Sequence, residues 1–218
     1  CLSNCIGLSR SFTTTRTTMI DGNTSMTLAL VLANIAVYVM TSANESIFNA
    51  SKHYPYLEKR DKSYYRWITS GFLHANLLHL GLNLIVLYQF GGTVETVFKS
   101  LFGFFTGGIV FLGCYFVILL MSGLPTFLKF RNNPNYSSVG ASGAVSGILF
   151  IYTVYFPMNL LYILGLVPIP AILFGGLYLF YSKWASSRSE DHIDHDAHYY
   201  GAVAGVLIGA IIRFGVAG

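Results

Sequence analysis

Apolar residues fall into six blocks, at about 26–43, 72–90, 101–121, 141–156, 160–182 and 197–214, separated by polar segments. Most blocks come close to the roughly 20 residues of helix that a bilayer core about 30 Å thick requires. The pattern predicts an all-α fold, a polytopic membrane bundle of six transmembrane helices. Pro168 and Pro170 interrupt the fifth block, so its first half is expected to be an interfacial piece or a kinked turn of helix. Between the first two blocks, Lys52, Lys59, Arg60, Lys62 and Arg66 alternate with Tyr54, Tyr56, Tyr64, Tyr65 and Trp67. Cations and amphipathic rings both find partners among lipid headgroups, so this first loop is expected to be partly embedded.

Composition strengthens that picture. The 218 residues are 54% hydrophobic, 16% aromatic and only 10% charged, far more apolar than a soluble domain. A net charge of +4 without a basic block argues against nucleic acid as a partner and leaves the lipid bilayer as the expected surroundings. Cys1, Cys5 and Cys114 are scattered and form neither a disulfide framework nor a metal-spaced cluster. Residues 1–25 are rich in Ser, Thr and Arg with no acid before Asp21, as in a flexible tail or an organellar targeting segment. The expected organisation is that tail, a membrane domain over 26–214 and a short C-terminal tail over 215–218.

Three blocks carry polar groups that a lipid-facing helix would not hold without a reason. The second contains His74, Asn76, His79 and Asn83; the fourth contains Ser142 and Ser146; the sixth starts at His198 after Asp191, His192, Asp194, His195 and Asp196. His79 and Asn83 are four apart and share one helical face, where two donors could hold an oxygen carrying negative charge or bond to a neighbouring helix. His74 points elsewhere and reads as structural. Gly143 and Gly147 form a small-xxx-small face that Gly201, Gly205 and Gly209 repeat, so the fourth and sixth blocks are expected to pack closely. That pairing brings Ser142 towards His198, a weak nucleophile and the usual base near neutral pH.

Gly140-Ala141-Ser142-Gly143, His79-Leu80-Gly81-Leu82-Asn83 and Ala197-His198-Tyr199-Tyr200-Gly201 resemble the G-x-S-G, H-x-x-x-N and A-H-x-x-G motifs of the rhomboid intramembrane serine proteases, in the family's order. Tyr65-Arg66 with Thr69 resembles a W-R-x-x-T segment, and Gly91-Gly92-Thr93-Val94-Glu95 and the spacing of His74 to His79 are further echoes. The resemblance implies Ser142 as nucleophile, His198 as general base and acid, and an oxyanion hole from the Ser142 N–H with His79 and Asn83. Gly140, Gly143, Gly147, Gly201, Gly205, His74, Arg66 and Glu95 would support the site. It implies a Ser/His dyad without metal or other cofactor, acting on transmembrane protein substrates. Asp194 and Asp196 then read as solvating a loop.

Two positions depart from the family pattern. Relatives often carry a tyrosine one turn after the nucleophile, packed on the histidine, where Ser146 stands here; Tyr65 replaces the commoner tryptophan beside Arg66. Two other readings compete. One is a non-catalytic, client-binding relative; the other is a metal-dependent membrane protein using His192, His195 and His198, three residues apart. The six-block form and the segment 194–201 look most like bacterial members, which makes a bacterial plasma membrane the expected location and the mitochondrial inner membrane the alternative.

Overall fold

A computed structural model describes residues 24–163, 167–186 and 193–216. Most of the expected N-terminal tail, together with Asp191, His192 and residues 217–218, lies outside the described residues. Helix α1 spans Ser25–Ser42, so Ser25 belongs to the bundle and not to the tail. Short helices α2 (Glu45–Ser51), α3 (Pro55–Asp61) and α4 (Arg66–Thr69) build the first loop.

The second block is displaced from its expected bounds. Residues 72–76 are not yet α-helical; Asn76 caps α5 (Leu77–Val86) by accepting a hydrogen bond from the His79 N–H at 2.8 Å. One π-helical turn, Leu87–Gly91, passes the chain into α6 (Gly92–Phe102), making a continuous apolar rod over Leu77–Phe102. Gly91 to Glu95 thus lie within helix rather than after it. Gly103, at φ +87°, lets the chain reverse into α7 (Phe104–Phe130), which runs past the expected end at 121 and through Pro125.

The fourth block forms α8 (Ser142–Tyr155). The first part of the fifth is not a kinked turn of helix. It is an antiparallel hairpin of β1 (Leu160–Ile163) and β2 (Val167–Pro170), with Tyr162 opposite Pro168 and Leu160 opposite Pro170. A two-stranded ribbon consists of edges, where proline is tolerated. Helix α9 (Ala171–Ala185) follows, and α10 (His195–Gly215) closes the chain. Among the described residues every other regular element is a helix. Among the described residues, α1, the Leu77–Phe102 rod, α7 and α10 are long and apolar enough to cross a membrane. With 14 and 15 residues, α8 and α9 rise only about 21 and 22 Å.

Two contacts organise the bundle. The buried Glu95 carboxylate accepts from the backbone N–H groups of Met26 and Thr27 at 3.0 and 2.8 Å, from Thr27 Oγ1 at 2.7 Å, and pairs with Lys99 at 2.7 Å. It therefore caps the N-terminus of α1 from another helix, where first-turn N–H groups and the dipole both favour an anion. The second contact joins α8 to α10 along their glycines. A β-carbon at Gly201 would overlap the Gly143 carbonyl oxygen, one at Gly205 that of Gly147, and one at Gly209 would sit 3.2 Å from the Ile151 Cα. Phe98, Phe111, Tyr115, Ile118 and Ile148 fill the interior alongside.

Gly205→Ala is expected to force the α8 and α10 backbones apart and cost roughly 1–3 kcal/mol, the usual range for overpacking. Thermal unfolding in detergent measures it, with Gly81→Ala as control, since a methyl group there meets open space.

Candidate active site

No side chain caps the N-terminus of α8, and Ser142 is its first residue. The first-turn N–H groups of α8 lack intrahelical partners and face the segment that delivers the serine. Gly140 takes φ +136°, open in practice to glycine alone, and an added β-carbon would lie 2.9–3.0 Å from the His79 imidazole and 3.5 Å from Ser142 Oγ. His79 therefore lies over the turn that carries the serine. Asn83 is buried one turn further on, its amide donating to the His79 carbonyl at 2.9 Å.

His198 lies in the first turn of α10, and its Nε2 is 2.7 Å from Ser142 Oγ. That is hydrogen-bond distance for a base taking a hydroxyl proton. The glycine contacts set this meeting, because Gly201 sits on Gly143 one residue after Ser142 and three after His198.

The aspartates do not solvate a loop. Asp194 caps α10 by accepting from the Ala197 N–H at 2.9 Å. The same carboxylate accepts from Thr126 Oγ1 of α7 at 2.9 Å and from Ser138 Oγ, four residues before Ser142, at 3.0 Å. Asp196 is buried, pairs with Lys129 at 2.5 Å and accepts from Ser186 Oγ. At the end of a tightly packed bundle, each carboxylate finds donors on neighbouring elements and stays ordered.

The first loop is tied to the same segment. His53 and Ser138 exchange backbone hydrogen bonds at 3.0 and 2.9 Å, and the Gly140 N–H donates to Ser70 O at 3.0 Å. The buried Glu58 carboxylate holds that loop together, accepting from the Tyr54 N–H at 2.7 Å and Trp67 Nε1 at 2.8 Å and meeting His53 Nδ1 at 2.8 Å. Arg66 donates to the carbonyls of Asn49 and Lys52 at 3.0 and 3.1 Å. A cavity of about 30 Å³ beside Ser142 is bounded by His53, Ser122, Ser138 and Asp194. His53, Glu58, Asp194 and Tyr178 of α9, whose ring lies parallel to that of His198, carry no motif spacing; only acidic residues in an apolar chain hinted at two of them.

His74 is buried between Phe72 and His79, 5.1 Å from the latter ring. Burial, reinforced by the neighbouring imidazole, pushes it down from 6.5 to about 4. Among the described residues no group of three His, Cys, Asp or Glu side chains is arranged to hold a metal ion. Of the three-residue histidine series, His192 lies outside the described residues, and the His195 and His198 rings meet edge to face at 6.0 Å.

Comparison with known proteins identifies the family. The Rhomboid domain family model matches residues 61–214. The chain belongs to the rhomboid family. It is 28% identical over 198 residues to RHOMBOID-like protein 12, mitochondrial, of Arabidopsis thaliana, covering 86% of this chain and 58% of the relative. It is 32% identical over 169 residues to Rhomboid-like protein 11, chloroplastic, of the same plant, covering 70% and 54%. With Rhomboid-related protein 1 of Caenorhabditis elegans it shares 27% over 159 residues, covering 70% and 41%. The chain thus spans about half the length of the rhomboids it matches. These relatives lend no support to a bacterial origin.

Asp194→Ala is expected to cost roughly 2 kcal/mol, the loss of a helix cap and of acceptors for the buried Thr126 and half-buried Ser138 hydroxyls, read as a lowered thermal midpoint. His74 makes an acid-side prediction. Its folded value lies below the unfolded one, so its contribution is complete above pH 6.5 and is lost as pH falls from 6.5 towards 4. His74→Gln should flatten the pH dependence of unfolding in that window.

Proposed function

We propose that the protein is an intramembrane serine endopeptidase with six spans, α8 and α9 being the two short ones, that cleaves transmembrane segments of other membrane proteins. The observation that carries this reading is the 2.7 Å contact between His198 Nε2 and Ser142 Oγ at the abutting ends of two glycine-striped helices.

His198 takes the Oγ proton as Ser142 attacks a substrate carbonyl. The resulting oxyanion is met by the Ser142 N–H at the start of α8, where the helix dipole favours negative charge, and by the His79 side chain above Gly140. Asn83 contributes from the same face. His198 then returns the proton to the leaving amine, and water hydrolyses the acyl-enzyme with the same imidazole as base. A substrate helix must unwind locally first, because its carbonyls are otherwise hydrogen-bonded within the helix. Gly143, Gly147, Gly201 and Gly205 keep the dyad in register, Glu95 fixes α1, and Arg66 shapes the first loop over the site; His74 packs behind His79.

The mitochondrial inner membrane is the proposed location. Support comes from the name of RHOMBOID-like protein 12, mitochondrial, and from the Ser/Thr/Arg-rich composition of residues 1–25.

Reconstituted protein should cleave a generic transmembrane substrate and be labelled by a fluorophosphonate. Ser142→Ala and His198→Ala should abolish both, and His79→Ala should lower kcat by about 10²–10³. A chelator should change nothing. Equal cleavage by wild type and both dyad variants would remove the reading, and a non-catalytic client binder would show no Ser142-dependent labelling.

A further inference from the structure

Helix α9 presents two tyrosines, one turn apart, to two histidines one turn apart on α10. The Tyr178 ring lies nearly parallel to that of His198, with planes 19° apart and centroids at 6.3 Å, an offset stack. Tyr181 meets His195 edge-on at 5.7 Å, and His195 meets His198 edge-on at 6.0 Å. The Tyr178 hydroxyl is 2.5 Å from Ser146 Oγ, one turn after Ser142 on α8. Phe150 and Phe174 close on the same ring at 5.7 and 6.0 Å. Tethered at its hydroxyl and flanked by two phenyl rings, Tyr178 has one orientation available.

The outermost torsion of a histidine is soft, so an unsupported imidazole turns easily and its Nε2 leaves the hydroxyl. A fixed ring face beside it removes that freedom, and the same face attracts the imidazolium formed when the serine proton moves. We infer that Tyr178 is a positioning residue that helps to hold the His198 imidazole in register with Ser142, and that Ser146 anchors Tyr178 for this task. The inference rests on the serine protease reading above. It gives the small residue at 146 a role. The ring comes from α9, and α8 supplies only the hydroxyl that secures it. Ser142, Ser146 and Phe150 follow one another at four-residue steps, so one face of α8 carries the nucleophile, the anchor and a wall of the ring's pocket.

Cleavage kinetics in liposomes test this, with wild type and Ser142→Ala as the active and inactive references. Tyr178→Leu should lower kcat about 30- to 100-fold with KM within about twofold, the pattern of a misplaced base. Tyr178→Phe keeps the ring and loses only the anchor; it should lower kcat about three- to tenfold. Ser146→Ala should match Tyr178→Phe, and the double variant should be no slower than either, because both remove one hydrogen bond. A wild-type kcat in Tyr178→Leu, a loss confined to KM or accounted for by a lowered thermal midpoint, or additive effects of Ser146→Ala and Tyr178→Phe would overturn the inference and leave the protease reading intact. If wild type is as inactive as Ser142→Ala, the protease reading fails instead. The stack is then judged from the His198 imidazole resonances of selectively labelled protein, which Tyr178→Leu must move if the ring faces the imidazole.

Discussion

The structure depends on how closely two backbones can approach. Packed helices ordinarily keep their axes about 8–10 Å apart because side chains stand between them. At two points along α8 and α10 there are none: Gly201 seats on the Gly143 carbonyl and Gly205 on that of Gly147. Two contacts one turn apart fix both the sliding and the rotation of one helix against the other. Ser142 and His198 flank the outer of these contacts, so their 2.7 Å separation follows from the glycine register and needs no flexible loop to set it. Such closeness also clears the space around the imidazole, which a ring from α9 then fills.

Closeness of backbones leaves polar atoms to be satisfied from outside the pair. Helix α7 supplies them on one side, where Ser122 abuts Gly143 and Thr126 reaches Asp194. The first loop supplies them on the other, through the His53–Ser138 backbone pair and the Ser70–Gly140 hydrogen bond. Buried and half-buried carboxylates are costly unless their oxygens are engaged. Asp194, Glu58 and Glu95 each gather at least three partners, two of them backbone amides of the same helix terminus for Glu95. These three carboxylates are therefore fasteners between elements.

Much of this was legible in the sequence because the chemistry there is local in spacing. Four-residue glycine steps and the small residues around Ser142 project directly onto helix faces, and the helical class follows from apolar block length. What stayed hidden depends on partners far along the chain. Asp194 looks like a loop acid until Thr126 and Ser138 are placed beside it, and Tyr178 is one aromatic among many in an apolar block until α9 is docked. The hairpin was hidden for another reason. Pro168 and Pro170 announce that a helix is broken but do not say what replaces it, and alternate prolines on an exposed ribbon edge are as acceptable as a kink. The extension of α7 past 121 was obscured by Ser122, Gly123 and Pro125, of which Ser122 packs against Gly143 of α8 and Gly123 faces His53 of the first loop.

Helix length itself has a consequence for where the chemistry takes place. On the proposed reading, α8 falls about 9 Å short of the hydrocarbon core, while α7 beside it rises about 40 Å from its 27 residues. At the far end of α8 the chain leaves through a hairpin with exposed Met158, Leu160 and Tyr162, side chains suited to an interface. The shortfall then lies at the Ser142 end, setting the nucleophile below the level of the membrane surface. The space above it is taken by residues 131–141 and the first loop, which the His53–Ser138 backbone pair and the Gly140–Ser70 hydrogen bond tie together, with Glu58 bracing the loop from within. A short helix under a polar roof of protein is one way for irregular backbone to exist at membrane depth, since such backbone is tolerated only where protein or water covers it. The roof is therefore as much a condition of the site as the dyad beneath it.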